Sequence, residues 1–484
     1  MKLREVLKDI SFELIQGSLD VDIEDIFYDS RKVTLNSAFI ALVGVNSDGH
    51  DYIDMAIEKG AKVIFLERNM EINSDVTVVK LDNTRKALSL LAINFFDNPI
   101  EKLVTIAITG TKGKTTTSWM IKNILESSGK KVGIIGTMGV FYGDIYHELV
   151  NTTPESYDLN KYLKEMVDND IQYVVMEISS QALKVGRVEG LYFDYGIFTN
   201  LTKDHIGENE HPNMEDYLFS KSLLFKKCKY GIFNFDSKYY ESMVNSASCK
   251  VYTFGHKRAS DLVIENVRLV RDDSFMGISL VTKGIVNEDF MVSIPGEFSA
   301  YNAAAAIFVC YLLGINISNI KKTLKIFSVK GRTELIPEFK KFNVIIDYAH
   351  NGVSLESILK TMRKYNPKRI IALFGCGGNR SVERRYDMGE ISGKLADLTI
   401  VTEDNSRNED VNDIINDIEI GLKRTNGKYI KIADRTEAIK YAIKNARQGD
   451  IVLLLGKGHE TYQDRGGVRY HYDEREIIKQ IISQ

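Results

Sequence analysis

The stretch Ile108, Thr109, Gly110, Thr111, Lys112, Gly113, Lys114, Thr115, Thr116, Thr117 constrains this chain more than any other. An apolar run at 104–108 precedes it and a helix-like segment at 118–125 follows. Strand, glycine loop, Lys-Thr and helix is the layout of a phosphate-binding loop. Glycines let backbone N–H groups close around phosphate oxygens, and the helix N-terminus adds partial positive charge. Lys114 is placed to reach the terminal phosphates of ATP, and the Thr115 hydroxyl to hold Mg²⁺. The loop departs from G-x-x-x-x-G-K-[ST]. Its first glycine would fall where Ile108 stands, and the spacing is Gly110-x-x-Gly113-Lys114-Thr115. That leaves a chance Gly/Thr loop or a distinct class of ATP user.

The rest of the chain alternates in the same way. Apolar strand signals at 132–135, 173–178, 195–199 and 230–233 are separated by helical stretches, which implies a mostly parallel sheet. From Val329, Lys330, Gly331 and Arg332 onward, strands at 344–346, 369–374, 398–401 and 451–455 repeat the alternation as a second doubly wound layer. Before the loop, residues 1–98 mix short strands at 37–43, 63–66 and 76–81 with a helix at 85–96, and Asn98-Pro99 breaks the pattern. The expected architecture is therefore α/β in three domains. These are a small N-terminal α/β domain at 1–98, a central P-loop ATPase at 99–328 and a Rossmann-like C-terminal domain at 329–484. A net charge of −3 leaves no electrostatic footprint for nucleic acid or an anionic membrane. Four scattered cysteines without C-x-x-C suggest neither disulfides nor a zinc site. The early charges argue against a signal peptide, so a cytoplasmic protein, a monomer, is expected.

Several motifs sit where strands end. Glu177 closes an apolar strand near the phosphate loop, where nucleotide-bound Mg²⁺ needs an oxygen ligand; a plain surface glutamate is the alternative. His205 follows another strand and reads as structural on its own. On a helix at 214–225, Lys221 shares its side with Tyr217, Leu218, Leu224 and Phe225, so it must snorkel, pair or be chemically changed. Asn302 is a ligand donor or a helix cap. Arg332 is a stabiliser of transferring phosphate or a linker arginine. Asp347 stands where ribose hydroxyls are bound in doubly wound folds. Successive strand ends in the third unit present Arg380, then Asp404, Asn405 and Arg407, then Gly456 and Glu460. Guanidinium and carboxylate groups in one pocket suit a zwitterionic amino acid.

These residues, in this order, resemble the Mur ligases, the ATP-dependent amino-acid-adding enzymes of peptidoglycan synthesis. The loop is similar to that family's G-T-x-G-K-T-[TS], which accounts for the missing first glycine. Met176 to Leu183 resembles the M-E-V-S-S-H-A-L block of the member that adds the third residue. Asp29-Ser30-Arg31, Asn151-Thr152-Thr153-Pro154, Asp347-Tyr348-Ala349-His350 and Gly456-Lys457-Gly458-His459-Glu460 also match. The resemblance implies that Ser30 lies at the UDP-sugar site and that Thr152, Thr153, Ser179 and Arg187 hold the muramoyl-dipeptide. It implies that Lys221 is a carbamylated lysine ligating Mg²⁺ with Thr115, Glu177 and His205. ATP is then the cofactor, and UDP-N-acetylmuramoyl-L-alanyl-D-glutamate and a diamino acid are the substrates. Some positions depart. Residues 204–213 are longer than the family's D-H-L-D-Y-H-G-T, Gln181 replaces a histidine, Asn351-Gly352 replaces Asn-Pro, and Ser406 replaces the proline of D-N-P-R. That tetrapeptide goes with meso-diaminopimelate. Arg407 and Glu460 are kept, so diaminopimelate is favoured over L-lysine or another diamino acid. Folylpolyglutamate synthase shares the ATPase layout but is expected to lack the Asp29-Ser30-Arg31 unit. A non-catalytic nucleotide-binding scaffold is opposed by intact Lys114, Thr115, Glu177, His205 and Lys221.

Overall fold

The computed structural model describes residues 1–44, 47–204, 206–207, 210–272 and 275–483. They form two compact units, Met1–Val263 with Ala304–Asn319, and Ile264–Ala303 with Ile320–Gln484.

The first unit holds two sheets. The five-stranded sheet runs Glu13–Gln16, Thr77–Lys80, Ala61–Leu66, Ser37–Ile40, Ile26–Phe27, with the first pair antiparallel and the others parallel. Asn83 caps the helix Thr84–Phe95 by accepting from Lys86 N–H, and Leu88, Leu91 and Ala92 enter the core beneath it. The second sheet places strand Val104–Thr109 between Phe193–Phe198 and Tyr173–Glu177, all parallel. Ile106, Ala107 and Ile108 are fully buried, as expected for a parallel strand covered on both faces. In register, Glu177 lies beside Ile108 and Phe198 beside Thr109, so three strand ends converge on the glycine loop. Helix Lys114–Ser127 leaves that loop directly. Beyond Val132–Gly136 the sheet turns antiparallel through Gly139–Tyr142 and Ile145–His147, strands absent from the alternation read in the sequence.

The second unit contains a six-stranded sheet in the order Glu334–Ile336, Asn343–Asp347, Ile451–Leu455, Ile370–Phe374, Leu398–Val401, Tyr429–Lys431. All neighbours after the first pair are parallel. Alternate residues of each strand serve two different cores. Ala372, Phe374 and Leu453 pack with helix Gly352–Arg363, whereas Ile371, Leu373 and Leu454 pack with helices Arg435–Asn445 and Glu474–Ser483. This is a doubly wound layer. Strand Ile451–Leu455 lies between two strands that precede it in the chain, which makes a topological switch point beside it. The unit also carries Met276–Gly284 paired antiparallel with Glu288–Val292, a hairpin the sequence reading passed over.

Candidate active site

The phosphate loop takes its shape from two glycines and from the neighbouring strand end. Gly110 has φ +151° and Gly113 φ +86°, both unfavourable for other residues. A Cβ on Gly110 would lie 2.0 Å from Thr199 Oγ1. Thr111 N–H donates to Asn200 O and Lys112 N–H to Asn200 Oδ1, each at 2.9 Å, so the loop is tied to residues 199–200. Lys114 Nζ curls back to Gly110 O at 2.8 Å and Thr111 O at 3.2 Å. Thr116 lies in the first turn of the helix that Lys114 opens.

Thr115 and Glu177 lie within hydrogen-bonding distance of each other. Thr115 Oγ1 donates to Glu177 Oε2 at 2.9 Å, and Thr137 donates to the same oxygen from its hydroxyl at 3.0 Å. Thr137 Oγ1 is also 3.2 Å from Thr152 Oγ1. A hydroxyl and a buried carboxylate are hard oxygen donors of the kind Mg²⁺ takes, together with phosphate oxygens and water. Among the described residues there is no group of three or more His, Cys, Asp or Glu side chains suited to a metal. His205 lies outside the described residues.

Lys221 does not snorkel, and among the described residues it makes no ion pair with a carboxylate. The helix read at 214–225 is α-helical over Met214–Ser222 and tightens to a 3₁₀ turn over Leu223–Lys226. Lys221 is 2% exposed, donates to Gly110 O at 3.0 Å and lies 4.6 Å from the centre of the Tyr217 ring. Burial, reinforced by the charge of Lys114, holds its amine well below the usual lysine range, with Asp204 opposing. A buried neutral amine is the form that adds CO₂. Lys114, Thr152, Ser179 and Lys221 line one cavity of about 240 Å³ with Gln181 and His211. Gln181 Oε1 is buried there without a hydrogen-bond partner among the described residues.

The remaining dipeptide residues stand beside this cavity. Thr153 Oγ1 donates to Glu177 O at 2.9 Å and accepts from Ser179 N–H at 3.0 Å. Ser179 caps the short helix Ser180–Lys184. Arg187 donates to Thr153 O and to Glu155, both at 2.9 Å, and Arg85 shares Glu155. Ser30 opens a 3₁₀ turn capped by Asp29 and lines a cleft of about 520 Å³ with Tyr28, Tyr52, Met55 and Arg85.

In the second unit, Asn302 is buried one turn inside helix Ser299–Leu312 and therefore is not its cap. Asp347 uses both carboxylate oxygens internally, accepting from Thr333 N–H at 2.7 Å and Ala349 N–H at 2.8 Å. Burial pushes this carboxyl up, and Arg332 draws it back. Asp347 thereby holds the loop carrying Arg332, whose guanidinium lies 5.1 Å from the centre of the Tyr348 ring with Nε buried and unpartnered among the described residues. The strand ends do come together. Asn405 Nδ2 donates to Glu460 Oε2 at 2.9 Å, and Asn405 Oδ1 accepts from Lys457 Nζ at 3.0 Å. Lys457 is fully buried, 3.3 Å from Glu460 and 3.7 Å from Asp404. Burial raises the Glu460 carboxyl, opposed by Lys457. Gly456 stands at φ +106°, strained for any other residue, and a Cβ there would lie 2.5 Å from Asp404 Oδ2. Arg407 takes φ +53° and donates to Gly378 O at 3.1 Å. Arg380 is exposed at the next strand end. Lys457 and His211 were not singled out in the sequence. Only Lys457's place in a glycine-flanked strand end hinted at its burial.

Known proteins share this construction. Residues 22–96 match the family model described as Mur ligase family, catalytic domain, residues 108–310 the Mur ligase middle domain, and residues 331–458 the Mur ligase glutamate ligase domain. The chain belongs to the Mur ligase family of ATP-dependent ligases. It is 43% identical over the whole of both chains to UDP-N-acetylmuramoyl-L-alanyl-D-glutamate--2,6-diaminopimelate ligase 1 of Clostridium acetobutylicum. It is 42% identical, again over all of both chains, to the similarly named ligase of Clostridium tetani. A solved structure named as the same ligase matches with a TM-score of 0.74 and 26% identity, covering 100% of this chain and 99% of that one. A folylpolyglutamate synthase of Thermotoga maritima matches in fold alone, at TM-score 0.59 and 17% identity over 76% of this chain and 89% of that one.

Proposed function

We propose that this enzyme adds meso-2,6-diaminopimelate to UDP-N-acetylmuramoyl-L-alanyl-D-glutamate through an acyl phosphate, at the expense of ATP. One observation carries the choice of amino acid. Asn405 and Lys457, both buried, and the half-buried Glu460 form a single hydrogen-bonded cluster at the strand ends, with Arg407 on the adjoining loop. Carboxylate, ammonium and guanidinium are what a substrate with an ammonium and a carboxylate at each end requires.

In the first step the D-glutamate carboxylate attacks the γ-phosphorus, and ADP leaves. Lys114 turns from Gly110 O toward the phosphates, and with Arg332 it offsets the developing charge. Thr115, Glu177, His205 and a carbamate on Lys221 would hold Mg²⁺, which would supply charge neutralisation at the phosphate oxygens. In the second step the amine attacks the acyl carbon and phosphate departs. Thr152, Thr153, Ser179 and Arg187 hold the dipeptide, Ser30 the uridine nucleotide, and Asn302 and Asp347 the nucleoside end of ATP. The domain division at 98 and 328, monomeric action and a cytoplasmic setting, where ATP and nucleotide-linked precursors occur, complete the reading. No helix among the described residues is long and apolar enough to cross a membrane.

The test is Arg407→Ala. Loss of a charge-assisted pair to the distal carboxylate is expected to raise KM for meso-diaminopimelate about 30-fold and leave KM for ATP unchanged. An unchanged KM for the amino acid would remove Arg407 from its site.

A further inference from the structure

Three side chains of the first unit align in a way the reaction above has not used. His211 Nδ1 is 2.5 Å from Asp216 Oδ2, and His211 Nε2 is 2.8 Å from Ser180 Oγ. The imidazole is 1% exposed at its side chain and packs 4.9 Å from the Tyr217 ring. Asp216 sits in the first turn of the helix that carries Lys221, and Ser180 opens the helix next to Ser179. The proton positions follow from chemistry. Lys184, 2.8 Å from Asp216, and the His211 hydrogen bond together outweigh burial and keep this carboxyl below its usual range. An ionised carboxylate only accepts, so Nδ1 carries the hydrogen, Nε2 accepts, and the Ser180 hydroxyl donates to it. Carboxylate, imidazole and hydroxyl in this order make the hydroxyl oxygen able to take a proton while its own passes to the ring.

Ser180 lines the same 240 Å³ cavity as Lys114 and Lys221, and its hydroxyl meets His211 Nε2 there. We propose that Ser180, His211 and Asp216 form the proton relay of amide formation, a role that rests on the ligase reading above. The incoming amine, an ammonium in water, loses one proton to solvent on entering the site and sheds a second as its bond to the acyl carbon forms. That proton passes to Ser180 Oγ, and the Ser180 proton passes to His211 Nε2. Asp216 stabilises the imidazolium. The C–O bond to phosphate then breaks, the electron pair leaves with phosphate, and the imidazolium returns its proton to that leaving oxygen. Ser180 is the group that touches the reacting nitrogen, and Asp216 is a positioning residue.

Hydroxylamine separates this role from the others, because it is mostly uncharged near neutral pH and attacks acyl phosphates without a base. Wild-type enzyme and His211→Gln are given ATP, UDP-muramoyl-dipeptide and either meso-diaminopimelate or hydroxylamine, and amide and hydroxamate are measured. Amide formation is expected to fall about 100-fold in the variant, and hydroxamate formation less than about 5-fold. Equal loss of both products would overturn the relay, and so would an amide rate close to wild type. Ser180→Ala, a smaller change, is expected to give the same split and decides the matter if His211→Gln does not fold. Wild-type enzyme yielding neither product would instead remove the ligase reading, and the relay with it.

Discussion

Lys221 shows how one residue's surroundings dictate its chemistry. Its amine is buried against Gly110 O and the Tyr217 ring, with the cation Lys114 nearby, so protonation is disfavoured and the free amine is available to CO₂. Lys221→Ala is expected to lower turnover at least about 100-fold, and added bicarbonate is expected not to restore it. A turnover near wild type in that variant would end the carbamate role. The unusual setting was legible in the sequence, since Tyr217, Leu224 and Phe225 share its helical side. Its direction was not, because helical spacing says which residues are neighbours and not which loop the side chain meets. His211 was illegible for the same reason. It lies in a stretch longer than the family's, and its partners Ser180 and Asp216 are 31 and 5 positions away in the chain. His459 gives a pH signature. Burial, then Arg332, Arg475 and Lys330, push its imidazole down to about 4. Between pH 4 and its ordinary value of about 6.5, the unfolded chain binds a proton that the folded chain does not. Stability is therefore expected to fall as pH drops through that window, by about 2 kcal/mol with allowance for the part of the ring open to solvent. His459→Gln should flatten this part of a urea-denaturation series taken across pH. A series as steep in the variant would assign the loss to other groups.

At the level of elements, strands buried on both faces were readable, whereas partly exposed ones were not, whether parallel, as Lys250–Gly255 and Tyr429–Lys431 are, or antiparallel, as Glu288–Val292 is. Runs such as Ile370–Phe374 and Ile451–Leu455 are buried on both faces and so are continuously apolar. Strand Leu262–Arg271 is buried only at its start and then alternates with polar residues, and it was missed along with Met276–Gly284. Loop approach is a second property hidden from sequence patterning. Gly331 stands at φ +68°, and a Cβ there would lie 2.0 Å from His459 N and 2.1 Å from Gly458 C. These contacts pack the Arg332 loop against the loop that ends in Glu460. Gly331→Ala must strain the backbone or part the two loops, and is expected to cost about 2–4 kcal/mol of stability, read as a drop in Tm and in urea midpoint. A Tm within a degree of wild type would show that the loops are free to separate.

Across the whole molecule, the chain divides its chemistry between two compact units. The first gathers the phosphate loop, Glu177, Lys221 and the cavity of the proposed relay. The second gathers Arg332 and the Asp404–Glu460 cluster at the ends of a doubly wound sheet. Fold class was readable because alternating strand and helix signals persist over most of the chain, and the substrate class because strand ends carry the reactive residues. The identity of the amino acid came from the family resemblance, through the retained Arg407 and Glu460, and not from any spacing rule, because it depends on how these side chains are set beside Asn405 and Lys457. The most direct measurement is steady-state phosphate release with ATP, UDP-N-acetylmuramoyl-L-alanyl-D-glutamate and a panel of meso-diaminopimelate, L-lysine and other diamino acids. The account predicts kcat/KM for meso-diaminopimelate at least about 100-fold above that for L-lysine, the value of one well-made charged contact at the distal carboxylate. A preference for L-lysine would contradict it.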